Sequence, residues 1–176
     1  FIDLKRQQAR IRQKIDSGLN AVLNHGAYIM GPEVTALESR LGQWTGASHN
    51  ISCSSGTDAL LLALYGLELQ SGQGVIVPSF TFAASAEVMP VMGAVPIFAE
   101  VEANSFNLDP YKLDAALLAG KAANIEVVGI IGVGLFGQPA NYDAIRAYAT
   151  QNDLWLIDDA AQSFGAHWQG QPVGQL

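Results

Sequence analysis

Val127-Val128-Gly129-Ile130-Ile131-Gly132-Val133, followed by Tyr142 to Gln151 and then by Trp155-Leu156-Ile157-Asp158-Asp159, decides the fold. The first run is continuously apolar and rich in β-branched residues, as a strand covered on both faces must be. Tyr142 to Gln151 mixes polar and apolar residues over the length of a short helix. Trp155 to Ile157 reads as another buried strand. A connection of this length between two buried strands favours parallel pairing with a right-handed crossover, and the sequence leaves antiparallel members open.

The same rhythm extends back along the chain. Further strand candidates are Asn50 to Cys53, Val75 to Val77 and Val95 to Val101, with helices expected over Asp58 to Leu67, Ala83 to Met92 and Tyr111 to Leu118. This alternation is the mark of the α/β class, a mostly parallel sheet flanked by helices. Two helices should come first. Ile11, Ile15, Leu19, Val22 and Leu23 recur with a helical period. Gly31-Pro32-Glu33 then supplies a helix start, with proline in the first turn and an acid at the positive dipole end, ahead of Val34, Leu37, Leu41 and Trp44 and a close near Gly46. No repeat, low-complexity tract or linker appears, so no domain boundary is placed within residues 1–176.

Composition narrows the function classes. With 49% apolar and 14% charged residues, 176 residues suffice to bury a core. A net charge of -7, with only nine Lys and Arg against sixteen Asp and Glu, opposes nucleic-acid binding. The longest apolar and glycine run, Val127 to Phe136, is well short of the ~20 residues that span a bilayer. The first residues lack an apolar leader segment and Cys53 is the only cysteine, which together point to the cytoplasm. His25, His49 and His167 share no metal-ligand spacing with Cys53, so no metal site is expected.

In open α/β sheets ligands collect at the carboxyl ends of strands. Three such ends carry chemistry. Cys53-Ser54-Ser55-Gly56-Thr57-Asp58 leads into an apolar helix, and its glycine, hydroxyls and free helix-start N–H groups suit a phosphate. A plain Ser/Thr cap on a buried helix fits the same residues. Pro78-Ser79-Phe80-Thr81-Phe82 offers an aromatic that could stack on a planar ring, although core packing is the commoner fate of any single Phe. Leu156-Ile157-Asp158-Asp159-Ala160-Ala161-Gln162 ends a strand on two carboxylates. An acid there could pair with a protonated ring nitrogen, as pyridoxal-phosphate enzymes require, while helix capping or a Mg²⁺ site are the alternatives. In that chain order the three ends are the parts needed to hold pyridoxal phosphate.

Tyr28-Ile29-Met30-Gly31-Pro32-Glu33-Val34, Ser55-Gly56-Thr57-Asp58-Ala59-Leu60, Pro78-Ser79-Phe80-Thr81-Phe82, Gly93-Ala94-Val95-Pro96, Leu135-Phe136-Gly137-Gln138 and Asp158-Asp159-Ala160-Ala161-Gln162-Ser163-Phe164-Gly165 complete a series. Over essentially all 176 residues the sequence resembles the pyridoxal-phosphate-dependent sugar aminotransferases of the DegT/StrS type. It looks most like the branch that aminates a 3-keto UDP-N-acetylhexosaminuronic acid for bacterial surface polysaccharide.

The resemblance implies a fold-type I transferase, residues 1–176 being the N-terminal helices and the first part of its large, cofactor-binding domain. It implies that Gly56 and Thr57, with Ser55 adjoining, hold the phosphate, that Phe82 stacks on one face of the pyridine ring and that Ala161 packs on the other. Asp159 would pair with the ring nitrogen and Gln162 with the phenolic oxygen. The implied partners are a nucleotide sugar, an amino acid donor such as glutamate, and a second copy of the chain.

Departures from the pattern set further expectations. The family's Schiff-base lysine has no counterpart among Lys5, Lys14, Lys112 and Lys121 and is expected beyond Leu176, so the chain is expected to stop before the C-terminal domain and, starting at Phe1, to be cut at the front as well. Gln73-Gly74 replaces an acidic pair, and Gly132-Val133-Gly134 lacks a polar side chain common near the cofactor. The alternatives are a sugar dehydratase of the same fold, in which His replaces that lysine, and a non-catalytic pyridoxal-phosphate-binding domain of a regulator.

Overall fold

Four parallel strands form the centre of the computed structural model, which describes residues 3–174. They are β1 (Gly74–Pro78), β2 (Val95–Ala99), β3 (Val127–Val133) and β4 (Trp155–Asp159), in the spatial order β2-β1-β3-β4. All three pairings are parallel. Every residue of β1 is buried, as its central place and apolar composition require.

Six helices accompany the sheet among the described residues: α1 (Leu4–His25), α2 (Pro32–Thr45), α3 (Gly56–Gly66), α4 (Ala84–Val91), α5 (Leu113–Ala122) and α6 (Tyr142–Gln151). Side chains alternate across a strand, and the core divides accordingly. Val75, Val77, Ile131 and Val133 join Leu60 and Leu64 of α3 and Val88 and Met89 of α4. Ile76 and Ile130 point the other way, to Leu113 of α5 and Tyr142 and Ile145 of α6. The result is a sheet between two helical layers. Each fully buried Val, Leu or Ile contributes roughly 1.5–3 kcal/mol of hydrophobic stabilisation.

The strand order positions the site. The chain steps from β1 outward to β2, returns past β1 to β3 and continues to β4, so it changes direction between β1 and β3. In such sheets the crevice at the carboxyl ends of the strands flanking the reversal is where ligands bind. Close packing keeps these strands in register. Gly129 lies opposite Trp155, and a Cβ on that glycine would overlap the indole, so the absence of a side chain lets the ring lie across β3.

Asn50 to Cys53 is not a strand, contrary to its pattern. Among the described residues no strand pairs with it, Ile51 is 84% exposed, and its order comes from Glu38, whose Oε1 accepts from Ser52 N–H at 2.8 Å and Ser52 Oγ at 2.7 Å. A period-2 apolar run gains strand geometry only from a neighbour. The strand expected over Val95 to Val101 ends at Ala99, and Val101 makes an isolated antiparallel bridge to Leu108. The helix expected from Tyr111 begins as a 3-10 turn, Pro110–Lys112, capped by Asp109, before α5. A hairpin of β5 (His167–Trp168) and β6 (Gln171–Pro172) has no counterpart in the expected elements, being too short to show a period.

Candidate active site

Ser55 sets the first wall of the site. Its extended backbone stops the preceding segment, and its Oγ accepts from Asp58 N–H at 3.2 Å, starting α3. The ordinary cap is therefore present. The N–H groups of Gly56 and Thr57, in the first turn, have no partner within the helix and stay available to an anion. A Cβ on Gly56 would meet nothing, so the approach to this backbone is open.

Asp159 stands at the end of β4. Its Oδ2 accepts from Ser85 Oγ at 2.8 Å and its Oδ1 accepts from Ala161 N–H at 3.2 Å. Ser85 is buried, and its oxygen lies 3.1 Å from Thr81 Oγ1. Since a carboxylate only accepts, Ser85 donates to Asp159 and takes its own hydrogen bond from Thr81. The carboxylate is thus held from two sides by α4 and by its own turn.

Gln162 is oriented by the turn after β3. Its Oε1 accepts from Phe136 N–H at 3.0 Å, which identifies the oxygen end of the amide and leaves Nε2 as a free donor. Phe136 adopts φ 57°, ψ 22°, a left-handed conformation uncommon for a non-glycine residue. Phe80, Phe106 and Phe136 pack together, with ring centroids 5.7 to 6.4 Å apart.

These groups converge. A cavity of about 240 Å³ is lined by Gly56 and Thr57 at the start of α3, by Thr81, Phe82 and Ser85, and by Asp159, Ala161 and Gln162. Six of the seven residues singled out in the sequence therefore share one cavity, spread over 107 positions of chain between Gly56 and Gln162. Ser55 does not line the cavity and serves as the cap of α3. Phe82 remains 70% exposed, with its ring free to cover a ligand. Thr81 and Ser85 were not singled out. Two hydroxyl residues four apart at the entry to a helix are a weak signal, and only the fold brings them to an acid 74 positions away.

Asp158 faces the opposite side of β4. Its Oδ1 accepts from the hydroxyl of buried Tyr142, and its buried Oδ2 has no partner. Burial pushes the Asp158 carboxyl above the usual range; the Tyr142 hydrogen bond opposes this and the neighbouring Asp159 adds to it. The Tyr142 phenol is raised by its own burial and by Asp158. Neither glycine of Gly132-Val133-Gly134, the stretch that lacks a polar side chain, has room for one: a Cβ at Gly132 would crowd the Tyr142 ring and one at Gly134 would overlap Ser163 Oγ. Lys5 and Lys14 lie on α1, Lys112 in the 3-10 turn and Lys121 on α5, none of them lining the cavity.

An α/β sheet with a helix start open to an anion, an acid and an exposed aromatic around one cavity has the features of a domain that binds a phosphorylated ring cofactor. The chain belongs to the DegT/DnrJ/EryC1/StrS aminotransferase family, whose model matches residues 9–176. It is 48% identical over 171 residues to a UDP-2-acetamido-2-deoxy-3-oxo-D-glucuronate aminotransferase of Pseudomonas aeruginosa, covering 97% of this chain and 46% of that protein. A UDP-N-acetyl-3-dehydro-alpha-D-glucosamine 3-aminotransferase of Acidithiobacillus ferrooxidans is 38% identical over 176 residues, all of this chain and 46% of the relative. Among solved structures, a family aminotransferase from Brucella abortus superposes with a TM-score of 0.90 at 44% identity, over 94% of this chain and 44% of that one. DesV of S. venezuelae gives a TM-score of 0.92 at 34% identity, over 99% of this chain and 45% of that chain. The chain thus spans less than half the length of these relatives.

Aminotransferases of this family depend on pyridoxal 5'-phosphate. The donor set fits that group. Open N–H groups at Gly56 and Thr57 suit its phosphate, the Asp159 carboxylate suits a protonated ring nitrogen, and the free Nε2 of Gln162 suits a phenolic oxygen.

Proposed function

We propose that this chain forms the cofactor-holding part of an aminotransferase that moves an amino group from an amino acid donor, glutamate, to the keto group of a nucleotide-linked sugar. Its substrate on this reading is a 3-keto UDP-N-acetylhexosaminuronic acid used in surface-polysaccharide biosynthesis. The observation that carries the reading is the convergence of Gly56, Thr57, Phe82, Asp159, Ala161 and Gln162 on one cavity. The 48% identity to the P. aeruginosa relative supports the choice of sugar.

When bound, pyridoxal phosphate supplies an electron sink for the charge left at the reacting carbon. The chain's own residues prepare it. The start of α3 anchors the phosphate through the N–H groups of Gly56 and Thr57. Phe82 and Ala161 hold the ring between them and keep water from its faces. Asp159, fixed by Ser85 and the Ala161 N–H, holds the proton on the ring nitrogen, and Gln162 Nε2 donates to the phenolic oxygen. The proton-transferring lysine is supplied by chain outside residues 1–176.

The protein acts on this reading as a cytoplasmic homodimer. Support comes from α1, which buries none of its residues while Leu4, Ile11, Ile15, Leu19 and Leu23 stand exposed as an apolar stripe. Sedimentation of the full-length protein should give a dimer, and an active monomer would exclude this arrangement.

Incubating the full-length protein with the 3-keto UDP-sugar acid and glutamate carrying a heavy-nitrogen label tests the reaction. The label should appear on the sugar, with one 2-oxoglutarate formed per amine. A product that has lost water and gained no nitrogen would establish a dehydratase instead. Cofactor binding without either product would leave a non-catalytic binding domain.

A further inference from the structure

Asn107 is 2% exposed and lies in the loop closed by the Val101–Leu108 bridge, ahead of α5 and away from every motif that marks the site. Both ends of its side-chain amide bond to one turn. Oδ1 accepts from Leu135 N–H at 2.9 Å and Nδ2 donates to Gln138 C=O at 2.9 Å. Its backbone is fixed in turn, N–H donating to Ser105 Oγ at 3.2 Å and C=O accepting from Glu102 N–H at 2.9 Å. Asn107 therefore clamps both ends of Leu135–Gln138, the turn in which Phe136 is held at positive φ and aims its N–H at Gln162 Oε1.

We infer that Asn107 is a positioning residue for the cofactor: by fixing the Leu135–Gln138 turn it orients Gln162, so that Nε2 of that amide donates to the phenolic oxygen. The inference rests on the reading of Gln162 given above. Released from the clamp, Phe136 would relax toward ordinary φ values, carrying its N–H off the Gln162 oxygen. The amide would then turn freely, and its donor end would no longer be pinned toward the cavity. No other residue reaches both ends of this turn with its side chain among the hydrogen bonds of the described residues.

The test uses the full-length protein with pyridoxal phosphate bound and reads the pH midpoint of the cofactor's visible absorbance change. A donor to the phenolic oxygen favours its deprotonated form, so losing the donor raises the midpoint. Gln162→Ala should raise it by about half a unit to one unit, the size of a single net hydrogen bond. Asn107→Ala should move it in the same direction, and Asn107→Asp, which keeps the acceptor for Leu135 N–H but loses the donor to Gln138, should move it less. Asn107→Asp also keeps the test open if Asn107→Ala does not fold. Combined with Gln162→Ala, either variant should add nothing further. Additive shifts, or an unmoved midpoint in both Asn107 variants while Gln162→Ala shifts it, would overturn the inference alone. An unmoved midpoint in Gln162→Ala would overturn the reading of Gln162, and the inference with it.

Discussion

Ser85 donates its hydroxyl hydrogen to Asp159 Oδ2 at 2.8 Å, tying helix α4 to the last residue of β4 across 74 positions of sequence. The bond spans two strands of the sheet, because β1 leads into α4 while β4 lies beyond β3. Asp159 is therefore aimed by the fold rather than by its neighbours alone, and Thr81 completes the relay from the turn after β1.

Removing that hydroxyl should loosen the acid without removing it. A hydrogen bond to a charged group contributes about 1.5–3 kcal/mol. If most of it serves to hold Asp159 in its reactive orientation, Ser85→Ala in the full-length protein should lower kcat by roughly tenfold to a hundredfold. Thr81→Val should cost less, since it acts one bond further away. Steady-state rates would check both, and an unchanged kcat in Ser85→Ala would show that Asp159 is held adequately by the Ala161 N–H.

The two adjacent acids should behave unequally, because they point to opposite sides of β4. On the proposed reading, Asp159→Asn would keep the phosphate and stacking contacts but lose the charge that would hold a proton on the ring nitrogen. If that charge selectively stabilises the transition state by about 3 to 4 kcal/mol, the rate falls of order a hundredfold to a thousandfold with the cofactor retained. Asp158→Asn should change the rate only a few-fold. Cofactor absorbance followed through each half-reaction distinguishes the two, and a reversed pattern would place the wrong carboxylate in the site.

Much of this arrangement was legible in the sequence for identifiable physical reasons. Helix α6 was readable because a mixed polar and apolar run of helix length lies between two buried strand candidates. Two of the three chemical ends follow true strands, β1 and β4, whereas Ser55-Gly56-Thr57 was readable as the start of helix α3 and follows no strand. Asn50 to Cys53 misled because a strand is a property of pairs, and its pattern says nothing of a partner. Ser85 and Asn107 were illegible for a related reason. Each acts through one hydrogen bond or two to residues far along the chain, and no spacing within a helix or strand encodes such contacts.

Gly129 offers a test of the sheet itself. An alanine Cβ at that position would overlap the Trp155 indole, which lies opposite in register on β4. The ring cannot move without disturbing the core cluster it packs against. Gly129→Ala should destabilise the protein by about 1–3 kcal/mol, the usual cost of overpacking. Denaturant unfolding would measure it, and a neutral result would mean that β4 shifts freely against β3, a motion that should also disturb Asp159.

Tyr142 and Asp158 give a pH-dependent prediction. Burial raises the Asp158 carboxyl in the folded protein above its ordinary value of 3.8, so the folded state keeps this proton to higher pH than the unfolded chain does. The group's contribution to stability is therefore fully present below the unfolded pKa and is lost as pH rises through the raised folded pKa. The Tyr142 hydroxyl limits that loss by donating to the carboxylate. Tyr142→Phe leaves both oxygens of a largely buried carboxylate without a protein partner and raises its folded pKa further. Its cost should be about 1–3 kcal/mol at neutral pH and smaller in acid, where the folded carboxyl is protonated with or without the Tyr142 hydroxyl. Asp158→Asn should do the reverse, removing the charge and flattening the decline in stability with rising pH. Urea unfolding at about pH 4 and about pH 8 separates these expectations, since the gap between wild type and Tyr142→Phe must widen at the higher pH. In the Asp158→Asn background the cost of Tyr142→Phe should lose its pH dependence. If that dependence persists, the titrating partner of Tyr142 is some group other than Asp158.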